Sequence, residues 1–391
     1  MKNSMRGFLA VTASLSASLA FATNGTMPHG YGIQAQGMGG VSVALPTDSL
    51  AAANNPAGMA FIGNRADLGM VWLKADRGAD VPGLGYVSAN EKTNYFLPEF
   101  GYNRDIGNGL SIGFSLVGNG VGTKYGRPIG PPTNSNAGSE LMQLMALPTL
   151  SYRVNETNAF GVSLVGAYQR LKVNGVQHIG LDDQGFDSSF GYGIGVGWTG
   201  KVANIVTLGA SYFSKTKMGK LDKYKTLLAG EGEFDIPERI SVGVAVEATK
   251  NITIGTDFVR VNWHDVRSLG NSVTSPGALG ASNGPGFGWR DQNIYRIGVD
   301  YRYSDALSLR AGYSAGDQII PSDETTLNYL APVTPRRHVS LGSKWGVSKE
   351  TELSLVYTRA LDEKVDGTGA SAGFNPRHSQ HWLGIAYGWK Y

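Results

Sequence analysis

Large apolar residues recur at every second position through most of this chain. In the C-terminal stretch 381–391, Leu383, Ile385, Tyr387, Trp389 and Tyr391 fall on one side of an extended backbone, and Gly384, Ala386, Gly388 and Lys390 on the other. Successive strand side chains point to opposite faces, so a period of two marks a strand with one greasy face. The pattern returns with Leu110, Ile112, Phe114 and Leu116, and with Ile240, Val242, Val244 and Val246. Two further runs are Tyr295, Ile297, Val299, Tyr301 and Tyr303, and Leu307, Leu309, Ala311 and Tyr313. Read throughout, it predicts about 14 strands. They fall near 65–76, 92–104, 109–121, 140–153, 158–172, 188–200, 204–216, 234–248, 251–265, 293–304, 306–315, 336–347, 351–362 and 380–391.

The connections carry a second pattern. "DIGNG", "VNET", "VAN", "TKN", "SDA" and "SKE" read as short turns, and longer loops fall near 77–91, 122–139, 173–187, 217–233, 266–292, 316–335 and 363–379. Long and short alternate without a break. Outer-membrane barrels have short periplasmic turns and longer extracellular loops. The expected fold is therefore all-β, a 14-stranded antiparallel transmembrane β-barrel with both termini in the periplasm. Closure leaves no unpaired sheet edge in lipid. A soluble sandwich or propeller is the competing architecture on strand spacing alone.

Mean hydropathy is −0.15, and no charge-poor apolar run approaches the ~18 residues of a membrane helix. Neither excludes a barrel, whose alternation dilutes its average hydropathy. Glycine accounts for 55 of 391 residues, charged residues for 17%, and cysteine is absent. Disulfides, Cys-ligated zinc and thiol catalysis are thereby excluded, and no cofactor is expected. Lys2, Arg6 and the run "GFLAVTASLSASLAFA" read as a signal peptide over 1–22, cleaved after Ala22. Its two basic residues leave with it, so the formal charge falls from +3 to +1. A near-neutral chain offers no electrostatic case for nucleic acid.

Residues 23–62 break the alternation. They are glycine-rich, and "SLAAANNPAGMAF", Ser49 to Phe61, is small and uncharged. Thr47 or Asp48 can cap a helix over Ser49–Ala53. Asn55 precedes Pro56, which disfavours the α conformation there and ends the helix in a turn. So short a segment needs a host for its apolar residues. The barrel lumen is the expected one; a disordered periplasmic tail is the alternative. The expected organisation is signal peptide 1–22, lumenal N-terminal hatch 23–62 containing short helices, and barrel 63–391.

The run from Gly37 through Gly39 and Gly40 to Val41, then Asp48-Ser49-Leu50-Ala51, then Asn55-Pro56-Ala57-Gly58, resembles the hatch of the FadL/TodX family. These are long-chain fatty acid and aromatic hydrocarbon transporters of Gram-negative outer membranes. Stretches 236–263 and 295–314, and "TPRRHVSLGSKW", resemble it too. The resemblance implies passive uptake of hydrophobic molecules, captured outside and released sideways at an inward kink in the third strand. By strand order that kink falls at Gly118, Asn119 and Gly120. It also implies contact with outer-membrane lipid and lipopolysaccharide, a monomer, and recognition of the terminal aromatic Tyr391 by the barrel assembly machinery. The alternatives are a general porin for hydrophilic solutes, which an occluding hatch opposes, and an outer-membrane lipase.

With the apolar face outward, the lumen receives Glu99, Glu247, Asp257, Arg296, Asp300, Arg302 and Arg310. They either brace the wall and hatch or, at Arg296 and Arg310, meet a substrate carboxylate. Leu84, in "LGYV", and Leu330, in "YLAPV", are expected in an outer capture groove, with Thr226–Gly230 beside them. His338 and Ser340 share a face as a lipase pair would, but no orienting group or oxyanion donor is marked. His378 and His381 read as surface residues rather than metal ligands. Gly122-Thr123-Lys124 fails the phosphate-loop order.

Overall fold

The computed structural model describes residues 24–130 and 134–391; the signal peptide expected over 1–22 lies outside them. One antiparallel sheet of sixteen strands closes on itself. Two are short additions, Gly85–Ser88 on the first strand and Lys217–Met218 on the sixth, and the other fourteen form a barrel. They are β1 (Arg65–Val81), β2 (Asn94–Gly107), β3 (Leu110–Lys124), β4 (Gly138–Arg153), β5 (Asn158–Asn174), β6 (Asp187–Ala203) and β7 (Val206–Phe213). The second half comprises β8 (Arg239–Glu247), β9 (Ile252–Val261), β10 (Gln292–Arg302), β11 (Leu307–Gly316), β12 (Arg337–Gly346), β13 (Thr351–Lys364) and β14 (Asn375–Lys390). Each pairs with its chain neighbours, and β14 closes on β1 from Arg65↔Lys390 to Asp80↔Asn375. Closing β14 on β1 removes the free sheet edges that hydrocarbon does not tolerate.

Local chemistry sets the turns. Between β2 and β3, Asn108 and Gly109 both take positive φ, at 54° and 77°. That is the Asn-Gly turn whose twist matches paired strands. The alternation fixes the faces: Leu68, Ile112, Leu164, Ile297, Leu341 and Ile385 point outward and stay exposed, as a lipid-facing band. Tyr152, Tyr303, Trp345 and Trp389 gather outward near the short-turn end.

Three expectations need correction. β1 and β14 run five residues beyond the predicted 65–76 and 380–391, because their ladder continues through polar residues where the greasy alternation has stopped. β8 begins at Arg239, not 234; Ile236 makes only an isolated bridge to Thr216. Glu247 and Arg302 are exposed rather than lumenal, and Glu247 sits 3.4 Å from Lys201.

Inside the barrel lies the N-terminal segment. From Asn24 to Ala60 every residue is buried except half-buried Leu45, Pro46 and Thr47. It contains α1 (Ile33–Gly37) and 3-10 turns at Ala51–Ala53 and Pro56–Phe61. Small residues do not fix a helical pitch, so the predicted Ser49–Ala53 helix shrinks to one tight turn. Neither Thr47 nor Asp48 caps it: Leu50 holds the cap position without a side-chain bond, and Asp48 accepts from Leu50 N at 3.0 Å just ahead of the turn. Pro56 also opens the next turn, as a proline at a first helical position does. Asn55 is its cap, accepting from Ala57 N at 3.1 Å.

The glycine content now has a physical reason. A Cβ on wall residues Gly161, Gly209, Gly298 or Gly312 would collide with backbone of the N-terminal segment: Pro56, Val43, and Met38 for the last two. Backbone packs on backbone there, with no side-chain layer between.

Candidate functional site

The N-terminal segment is tied to the wall by carboxylates that accept its backbone N–H groups. Glu99 on β2 accepts from Gly32 N (3.2 Å) and Ile33 N (3.0 Å) at the start of α1. Asp257 on β9 accepts from Ser42 N (2.8 Å) and Val43 N (3.2 Å). Asp67 on β1 accepts from Ser49 N at 2.9 Å and is itself held by Arg65. Glu99→Ala leaves two buried donors unpaired, about 1–3 kcal/mol each. The expected result is faster proteolysis within residues 24–62 of a barrel that still shifts on heating; unchanged cleavage would show Glu99 to be dispensable.

The hatch-motif residues all enter this scaffold. The Gly39 and Gly40 backbones press against the Tyr313 backbone and the His29 carbonyl. Asn55 Nδ2 donates to Val43 O, Trp198 O and Thr199 Oγ1, joining the segment to β6. Ser151 Oγ donates to Pro56 O at 2.6 Å. Ala57 packs with Ala60 against Ala159, and Gly58 sits against Pro46. Burial, with the Asp67 carboxylate adding, pushes the Asp48 carboxyl up to about 7.

Arg296 and Arg310, expected as carboxylate ligands, are committed elsewhere. Arg296 Nη1 donates to Gly40 O at 3.0 Å. Arg310 Nε donates to Asp300 at 2.6 Å, and its stem lies against Gly37. Neither lines the two cavities described below. His338 bonds Ser314 (3.1 Å) and Ser340 bonds Thr358 (2.8 Å), so the two are not joined to each other. His378, expected at the surface, is instead buried and meets Pro332 O, while half-buried His381 meets the Tyr357 hydroxyl, so they do not converge.

His29 of the segment stacks on His338 at 5.5 Å. Burial first, then His338 and Arg296, hold its imidazole well below the usual 6.5. A lowered histidine value means that the unfolded state takes up more protons. Its stabilising contribution is therefore present above ~6.5 and lost as pH falls below it. Leak conductance in planar bilayers should thus rise more on acidification from pH 7.5 to 5 in the wild type than in His29→Gln. Asp48 acts with the opposite sign in both proteins, so the comparison isolates His29; equal slopes would exclude it.

The wall is interrupted between β2 and β3. β2 and β3 pair from Gly107↔Leu110 to Phe100↔Leu116 and then stop, although β3 runs on to Lys124, paired with β4. Asn94–Glu99 of β2 thus has no partner on that side, and Pro98, which has no N–H to lose, stands in it. Beyond Gly118 this stretch of β3 is buried on both faces, through Asn119, Gly120, Val121, Gly122 and Thr123. Glycine permits close approach there. The N-terminal segment supplies what β2 does not: Gly120 N donates to Thr26 O (2.8 Å), and Tyr31 Oη donates to Asn119 Oδ1 (2.6 Å). A bridge between Asn90 and Lys124 resumes contact at the far end.

Two apolar cavities flank this stretch. The first, at the long-loop end, is narrow and spans about 720 Å³ outside protein atoms, open solvent included. It is a slit that a ligand must part. Val121, Leu141, Leu171, Leu227, Phe287, Trp289 and Leu330 line it. Leu330, expected in an outer capture groove, is one of the slit's lining residues. Leu84 packs on the same core but does not line the slit. The loop carrying Leu330 is pinned by Thr123 Oγ1, which donates to Leu330 O at 3.1 Å, and by Tyr125 Oη, which donates to Tyr329 O at 2.8 Å. Sequence reasoning missed Phe287 and Trp289; three aromatic or apolar residues within "GPGFGW" of a polar loop were the available signal. The second cavity, about 370 Å³ by the same measure, lies beside the N-terminal segment between Met27, Tyr31, Val117, Met145 and Phe213.

A closed barrel with a greasy exterior, a filled lumen and apolar cavities beside a gap in its wall defines a plugged outer-membrane transport barrel. Residues 9–379 match the family model "Outer membrane protein transport protein (OMPP1/FadL/TodX)". The chain belongs to that family and is an outer-membrane transport protein. Among solved structures it is similar to the Pseudomonas putida toluene transporter TodX, at TM-score 0.74 and 23% identity over 93% of this chain and 99% of that one. It is also similar to the Ralstonia pickettii toluene transporter TbuX (0.66, 19%, 93% and 99%) and a Pseudomonas aeruginosa FadL homologue (0.69, 16%, 96% and 100%). These likenesses establish the fold. No curated protein matches the sequence.

Proposed function

We propose that the protein admits hydrophobic small molecules, long-chain fatty acids or aromatic hydrocarbons, by facilitated diffusion and releases them sideways into the outer membrane. The long loops face outward, past the lipopolysaccharide, and both termini lie in the periplasm. The chain acts as a monomer, and its terminal Tyr391 addresses it to the barrel assembly machinery. Residues 23–62 are the hatch that denies polar solutes a path.

The observation that carries this reading is the missing β2–β3 ladder between two apolar cavities. A hydrophobic molecule gains about 0.8 kcal/mol per CH₂ by staying out of water. It has no reason to enter the periplasm when a gap leads to the bilayer. The polar surface layer is the barrier, and a greasy slit beside Leu330 and Trp289 crosses it without an energy source. In cells with and without the gene, uptake of labelled oleate and toluene is the test; equal uptake of both would sink the proposal.

A further inference from the structure

Between the two cavities lies a single polar rung. Asn119, Gln143, Gln169 and Ser189 stand directly opposite one another on β3, β4, β5 and β6. All four are buried. The rung on one side is Val121, Leu141 and Leu171, which line the first cavity. On the other side Val117 faces Met145, and both line the second. A molecule passing from one cavity to the other along this wall must cross the rung.

Its hydrogen bonds run in one direction. Gln143 Nε2 donates to Gln169 Oε1 (3.2 Å), and Gln169 Nε2 donates to Ser189 Oγ (3.0 Å). Asn119 Oδ1 accepts from the Tyr31 hydroxyl (2.6 Å). That leaves Gln143 Oε1, on a side chain 1% exposed, without a protein hydrogen-bond partner. A buried amide oxygen left unpaired is costly and uncommon. It can only accept. A carboxylate offers it nothing, a hydrocarbon is indifferent to it, and a neutral hydroxyl satisfies it.

We propose that Gln143 Oε1 is a specificity element that favours hydrophobic molecules bearing one neutral hydrogen-bond donor, a phenol, an alcohol or a protonated acid, over hydrocarbons of the same shape. This rests on the transport reading above. The probes are p-cresol and p-xylene, which differ by a hydroxyl in place of a methyl group. Uptake is measured in intact cells carrying the wild type, Gln143→Leu, or Gln143→Met, which keeps the chain length. Whichever variant retains the heat-dependent gel shift should show the cresol-to-xylene ratio reduced about fivefold, the worth of one ordinary hydrogen bond, with xylene uptake kept. A ratio unchanged from wild type while both compounds are still carried overturns the assignment of Gln143 and leaves the transport reading standing. If the wild type carries neither compound above gene-free cells, the assignment of Gln143 is likewise overturned, while the transport reading is decided separately by uptake of oleate and toluene.

Discussion

Deleting residues 23–62 should leave a barrel that still migrates differently before and after boiling, and should raise passage of small polar solutes by on the order of tenfold or more, as expected for a wide barrel relieved of its plug. The barrel survives because its strands are paired to one another and β14 closes on β1 without help from the segment. The carboxylates of Glu99, Asp67 and Asp257 lose their backbone partners, but water enters and solvates them, so no uncompensated charge remains buried. The leak follows from what is removed: a segment buried from Asn24 to Ala60 apart from a short half-buried stretch. Bilayer conductance and sucrose uptake are the measurements. An unchanged conductance would show that the loops, not the segment, close the lumen.

The second large effect is expected from Val121→Trp. Val121 lines the first cavity and sits on the part of β3 that is buried on both faces, beside the polar rung. An indole there fills a slit with little room for even a water molecule. Overpacking of this kind costs about 1–3 kcal/mol, which a large closed barrel tolerates. Uptake of hydrophobic substrate should fall at least about tenfold, and to the gene-free level if the slit is the sole route; each tenfold is ~1.4 kcal/mol of added barrier. Val162→Trp, on the lipid-facing side of β5, adds the same bulk outside and should leave uptake unchanged. Equal loss in both would point to a folding defect rather than a blocked path.

The barrel was largely legible because its signal is periodic. Ile297 and Ile385 had to face lipid and Arg296 the lumen, whatever else the chain did. The reading stopped where the period stopped, at the polar ends of β1 and β14 beyond Ala75 and before Gln380. The hatch was legible as an exception, and its internal geometry was not. "IQAQG" and "SLAAAN" suit several helical pitches, and only the wall they meet selects among them. Leu330 could be placed because a greasy residue in a polar loop needs a partner. The destinations of Arg296 and Arg310 could not be read, since a strand pattern gives a side but not the neighbour across the lumen. The break after Leu116 was also hidden. It depends on how far β2 follows β3, and Pro98 was the sole local hint.

That break has locked ends. Phe100↔Leu116 closes one and Asn90↔Lys124 the other, so the slit can widen by flexing Val117–Thr123 without unzipping any neighbouring strand pair. On the sideways route proposed above, a departing molecule must push acyl chains aside. The membrane's fluidity therefore belongs to the rate law: cells grown cold on saturated lipid and cells rich in unsaturated chains would run the same protein at different speeds.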